Sequence, residues 1–148
     1  MIDRFHEILQ LLGQELGLTL HTDRNHACAL QINEGLIVQM ESDSAQERLL
    51  IASQIIEVPP GKFRENVLKE ALKANALADP LVGTFAYIAK INQLVLYQYY
   101  PFDILNAQRL TGLLAPFIQT AEKWREAIAS GSPGPPQLET PLFLKGFR

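Results

Sequence analysis

Apolar residues recur at spacings of three and four along the first stretch of the chain. Ile2, Phe5, Leu9, Leu12 and Leu16 form one stripe, Ile8 and Leu11 widen it, and Asp3, Glu7, Gln10 and Gln14 take the other side. That period predicts an amphipathic helix over residues 2–16 with its apolar face on a core. Gly13 weakens the helix interior, and Gly17 supplies a stop.

The period then shortens to two. Cys28, Leu30 and Ile32 alternate with Ala29 and Gln31, and Leu36, Val38 and Met40 alternate with Ile37, Gln39 and Glu41. Asn33-Glu34-Gly35 between them carries turn residues, so the two runs predict a β-hairpin. Glu41-Ser42-Asp43-Ser44 reads as a polar connection. Arg48 to Val58 is apolar on both sides at Leu49-Leu50-Ile51-Ala52, which predicts a strand in the middle of a sheet.

Pro59-Pro60-Gly61 ends that strand and opens a helix over Lys62 to Asn75, with Phe63, Val67, Leu68, Ala71 and Leu72 on one face. Asn75 is suited to a left-handed C-cap. Asp79-Pro80 breaks the chain before two strands, Leu81–Lys90 and Leu94–Tyr100, joined at Ile91-Asn92-Gln93. A long helix follows from Asn106 to Ser130, with Asn106 or Asp103 as N-cap and Pro116 expected to kink or divide it. The order α-β-β-β-α-β-β-α predicts an α+β fold, an antiparallel twisted sheet with flanking helices. Residues 1–130 read as one domain, and residues 131–148 as a Pro/Gly-rich linker and flexible tail. Leu142, Phe143, Leu144 and Phe147 give that tail an apolar tip, which reads either as a free terminus or as a docking segment.

Composition narrows the function classes. The chain has 148 residues, 47% hydrophobic and 20% charged, with a net charge of −3. One domain of that size buries enough surface to fold without a metal or disulfide staple. Thirteen Lys plus Arg against sixteen Asp plus Glu leave no basic field for a phosphate backbone, so nucleic acid is not an expected partner. The longest apolar run, Phe85 to Ala89, is far below a membrane span, and the first residues lack a signal-peptide pattern. Cys28 is the only cysteine, which excludes an internal disulfide. A cytoplasmic protein without membrane insertion is the expectation.

Candidate chemistry is sparse. His21, Asp23, His26 and Cys28 form the most reactive-looking stretch. No second Cys or His cluster completes a metal site, and no third group orients a Cys–His nucleophile. Gly35, Gly61 and Gly83 are isolated, so there is no phosphate loop. No catalytic residue, metal or cofactor is expected. Surface remains: several apolar strands leave sheet edges to which another chain can add. Tyr87, Tyr97, Tyr99 and Tyr100 bring aromatic area to the last strands, either as an interface or as the roof of the core.

Several pieces together resemble the class I type III secretion chaperones of the Tir-chaperone type. They are Leu9-x-x-Leu12 in the opening helix, Ile56-Glu57-Val58-Pro59, and the helix ending Leu72-Lys73-Ala74-Asn75-Ala76-Leu77. Gly83-Thr84-Phe85-Ala86-Tyr87, Leu94-Val95-Leu96-Tyr97 and Phe117-Ile118-x-x-Ala121-Glu122-x-Trp124 follow in the family's order. The resemblance spans about residues 1–130, and Pro116 and the Pro/Gly-rich tail depart from it. It implies a small acidic cytoplasmic protein that is not an enzyme. Such a protein binds the extended N-terminal segment of a secreted effector and keeps it soluble and competent for secretion. By element, it implies effector contacts at Phe5, Leu20, Leu30, Ile32, Val38 and Met40, and a dimer seam at Leu68, Leu72, Leu81, Phe85 and Tyr87. The dimer is expected to be a homodimer or a heterodimer with a related chaperone. The competing expectation is a regulatory or adaptor domain of the same fold that binds a folded protein partner.

Overall fold

Alternating apolar positions from five strands combine into one antiparallel sheet in the order β1-β2-β3-β5-β4. In this computed structural model, which describes residues 4–23, 26–33, 35–43, 45–77 and 82–136, β1 is Ala27–Asn33, β2 Leu36–Asp43, β3 Arg48–Glu57, β4 Thr84–Ile88 and β5 Gln93–Pro101. β3 is central, as its two-sided apolar run predicts, while β1 and β4 are the edges. Helices α1 (Arg4–Leu16) and α3 (Ala107–Ala129) pack on each other, and α3 also packs on β2 and β3. Beneath them Leu36, Val38, Met40, Leu49, Ile51, Ile55, Leu94 and Leu96 lose nearly all solvent contact. Helix α2 (Lys62–Leu77) lies against β4.

The element order is the predicted one, and the differences are local. β2 continues through the polar Glu41, Ser42 and Asp43, which pair with Leu50, Leu49 and Arg48. Polar residues complete a ladder readily where one face of the sheet is wet. The α3 N-cap is Asn106, whose side-chain oxygen accepts from the Arg109 N–H at 2.8 Å. Pro116 does not divide α3, which runs unbroken to Ala129. Gly112, four residues earlier, is exposed, so water can reach the carbonyl that the proline leaves without an N–H. Leu114 and Phe117 anchor the helix on both sides of the proline.

Gly13 has a role that helix propensity hides. After α1 the chain turns back at Gly17, φ +70°, and the Leu18 N–H reaches the Gly13 carbonyl at 2.8 Å. A Cβ on Gly13 would lie only 2.6 Å from the Leu18 oxygen, so the return needs a glycine there. The start of the Pro/Gly-rich stretch is also held in place. The Ser132 N–H bonds the Ala127 carbonyl at 2.8 Å, and its hydroxyl donates to the Gly134 carbonyl at 2.8 Å. Gly134 then lies against the Trp124 indole and the Glu70 side chain. The apolar tip beyond Pro136 lies outside the described residues. Among the described residues no helix is long and apolar enough to cross a membrane.

Candidate functional site

Strand alternation sends every second side chain to the face opposite α1 and α3. By register, Ala29, Gln39, Ala52, Tyr97 and Thr84 form one row across this open face, with Glu41, Leu50 and Tyr99 beside it. Gln54, Val95 and Ala86 form a row on the other side, near Ile37. Ile37 is 49% exposed and Tyr99 36%, so apolar and aromatic area meets solvent here. At one end the Arg48 guanidinium stacks 3.7 Å above the Tyr99 ring and bonds Asp43 at 2.9 Å. Tyr97 meets Tyr99 edge-on, ring centroids 6.1 Å apart. Rigid aromatic area backed by a guanidinium is the composition that anchors interfaces.

At the other end the sheet forks. β2 and β3 pair only from Asp43↔Arg48 to Gln39↔Ala52. Beyond that point they separate, and β3 changes register against β5 between Gln54 and Ile56. Two side chains satisfy carbonyls facing the gap. The hydroxyl of Ser53, itself buried, donates to the Ile37 carbonyl at 2.8 Å. Arg125 reaches in from α3 and donates to the Ile55 carbonyl at 2.7 Å. The cleft at this fork has a volume of about 680 Å³ and is walled by Ile37, Gln39, Gln54, Ile88, Gln93 and Val95.

The two edges differ. Asn75 on α2 bonds both backbone groups of Phe85, which blunts β4; it sits inside the helix and is not the C-cap. Among the described residues β1 borders no further strand on its outer side, which makes it the edge open to an added strand.

The residues expected to meet an effector fall in two groups. Phe5 of α1 and Leu30, Val38 and Met40 of the sheet are buried in the core between helices and sheet. Leu20 and Ile32 are half-buried, Leu20 lining a separate groove of about 410 Å³ beside α1. Of the expected seam residues, Leu72 is 68% exposed, Leu68 is half-buried, and Phe85 is buried against Trp124 with ring centroids 4.4 Å apart. Tyr87 is half-buried and donates its hydroxyl to the Asn92 side chain at 2.7 Å. Leu81 lies outside the described residues. Sequence reasoning did not single out Ile37, Val95 or Arg125. The alternation separated Ile37 and Gln39 from Leu36, Val38 and Met40, but it does not say which row the helices cover.

The His21–Cys28 stretch forms no reactive centre. Cys28 is buried, and burial first, then Asp23, pushes its thiol above the ordinary value. His6 shares a hydrogen bond with Thr22 at 3.1 Å and meets the His26 ring edge-on. Among the described residues no three His, Cys, Asp or Glu side chains converge as metal ligands.

The model of the Tir chaperone protein (CesT) family matches residues 7–125. No curated protein matches the chain. Solved structures share the fold at low identity. One is the HopA1–SchA chaperone–effector complex, at 22% identity and TM-score 0.69, covering 86% of this chain and 100% of that one. Another is the ExsC–ExsE complex, at 19% identity and TM-score 0.71, covering 86% and 97%. A third is the ExoU–SpcU complex from the type III secretion system of Pseudomonas aeruginosa, at 21% identity and TM-score 0.64, covering 83% and 98%.

Proposed function

The chain belongs to the Tir chaperone protein (CesT) family, and on that premise we propose that it is a cytoplasmic type III secretion chaperone that holds an extended N-terminal segment of a secreted effector. The family match over residues 7–125 carries this reading. The open face supports it: an extended client adds main-chain hydrogen bonds at β1 while its alternate side chains rest on Ile37, Ala52, Tyr97 and Tyr99. Leu20 and Ile32 extend that surface, and the buried Phe5, Leu30, Val38 and Met40 pack on the far side of the sheet. The protein acts by affinity and not by catalysis; a bound segment is withheld from aggregation by mass action alone. Two copies meet through Leu68 and Leu72 of α2 beside β4, with Phe85 and Tyr87 behind that seam. Residues 1–130 make up the chaperone domain, and residues 131–148 are an appendage to it.

The test is co-purification from the native cytoplasm followed by limited proteolysis of the complex. A secreted protein should be recovered with an N-terminal segment protected, and Ile37→Asn, at an exposed position of the open face, should abolish the protection. Recovery of a fully folded partner whose segments gain no protection, or of the chain alone as a monomer, rejects the reading.

A further inference from the structure

We propose that the fork between β2 and β3 binds a carboxylate, and that Arg125 there selects an acidic side chain on the extended segment lying across the sheet. The inference rests on the open face being the client surface, and it adds what that surface selects. Arg125 belongs to α3, on the covered side, so it can reach the open face only where the sheet parts. The sheet parts because β2 and β3 stop pairing beyond Gln39↔Ala52 and β3 shifts register between Gln54 and Ile56. Gly35 keeps the passage open, since a Cβ at that position would overlap the Arg125 guanidinium.

A guanidinium carries five N–H donors in a planar fork. One nitrogen of Arg125 donates to the Ile55 carbonyl, and among the described residues no carboxylate pairs with its charge. Glu57 also borders the cleft, but it is exposed and forms no ion pair with Arg125. A half-buried cation without a counter-ion is a standing electrostatic cost, and a carboxylate held through two parallel hydrogen bonds relieves it best. Gln39, Gln54 and Gln93 surround the opening with neutral amides, and Ile37 and Val95 flank it with apolar surface. The fitting occupant is therefore an extended, largely apolar segment carrying one Asp or Glu.

The probe is a displayed library of peptides about ten residues long, enough when extended to cross the sheet at ~4.8 Å per strand. Each is fused at its C-terminus so that it presents no free terminal carboxylate. Selection on the full-length protein should enrich one acidic residue at a fixed distance from apolar positions. A selected peptide, synthesised as its amide, should lose about ten-fold in affinity when its acid becomes the neutral amide, and by a similar factor against Arg125→Gln. The two changes together should cost little more than either alone, a coupling that a general loss of fold by Arg125→Gln does not produce. Arg125→Lys should lose part of the affinity, because it keeps the charge without the planar fork. Additive losses, or peptides blocked by Ile37→Asn yet without an acidic preference, overturn the inference and leave the open-face reading standing. Selected peptides indifferent to Ile37→Asn overturn both.

Discussion

Asn75 of α2 holds Phe85 of β4 by both backbone groups: its amide nitrogen donates to the Phe85 carbonyl at 3.0 Å, and its oxygen accepts from the Phe85 N–H at 2.7 Å. One side chain thus stands in for a missing strand on the edge of the sheet, where unpaired groups invite another chain. Asn75→Ala removes both bonds and should lower stability by about 1–2 kcal/mol, read as a lower urea midpoint with unchanged slope. Asn75→Asp keeps the acceptor but turns a carboxylate oxygen toward the Phe85 carbonyl. It should be at least as destabilised at neutral pH and recover in acid, where the protonated group can donate.

Leu72 and Phe85 separate two roles within the proposed seam. Leu72 is 68% exposed, whereas Phe85 is 7% exposed and packed at a tilt against Trp124. Leu72→Asp should therefore leave the folded chain intact and convert a dimer to monomer in sedimentation. Phe85→Ala should cost about 3–5 kcal/mol of folding stability whatever the oligomeric state. A dimer that survives Leu72→Asp rejects the seam.

Gly13→Ala tests whether close approach outweighs helix propensity. In an open helix the change stabilises by roughly 0.5–1 kcal/mol. Here the new methyl would meet the Leu18 carbonyl at 2.6 Å, and that oxygen belongs to a residue fixed by its own N–H bond to the Gly13 carbonyl. The sign should reverse, giving a lower melting temperature and a displaced segment after Gly17.

The element order was legible because period carries it: Leu9 to Leu12 reads as helix and Leu36 to Met40 as strand from the letters alone. What stayed hidden depends on contacts between distant residues. Gly13 looks like a helix defect until Leu18 returns to it, and Asn75 looks like a cap until β4 arrives beside it. The open face was half legible. Two rows of β2 could be separated, but only the docking of α1 and α3 decides that Val38 is covered and Ile37 is not. Arg125 gave no signal, since its part depends on the separation of β2 from β3, seventy positions earlier at Ile55.

Cys28 should behave as a core residue with a pH signature. Its thiol is raised in the folded chain, first by burial and then by Asp23. A folded value above the unfolded one leaves stability whole below the ordinary thiol range, near ~8.5, and lowers it as pH rises through that range. The native thiol should resist a disulfide reagent at pH 8 and react at once when unfolded. Cys28→Ala should flatten the alkaline fall in stability while lowering stability at neutral pH.

Trp124 reports whether the chain after α3 belongs to the domain. It is the only tryptophan, so its emission is unambiguous. The indole is 4% exposed, sandwiched between Phe85 and the returning backbone, where a Cβ on Gly134 would sit 3.0 Å from the ring. Ending the chain at Ser130 removes that cover and opens the outer side of the ring to water. Emission should shift to the red, and acrylamide should quench it more strongly. Gly134→Val should do the same at full length, because the added side chain and the indole cannot share the space. If both variants kept the native emission, residues 131–136 would be a tether whose contact with Trp124 contributes nothing to the fold.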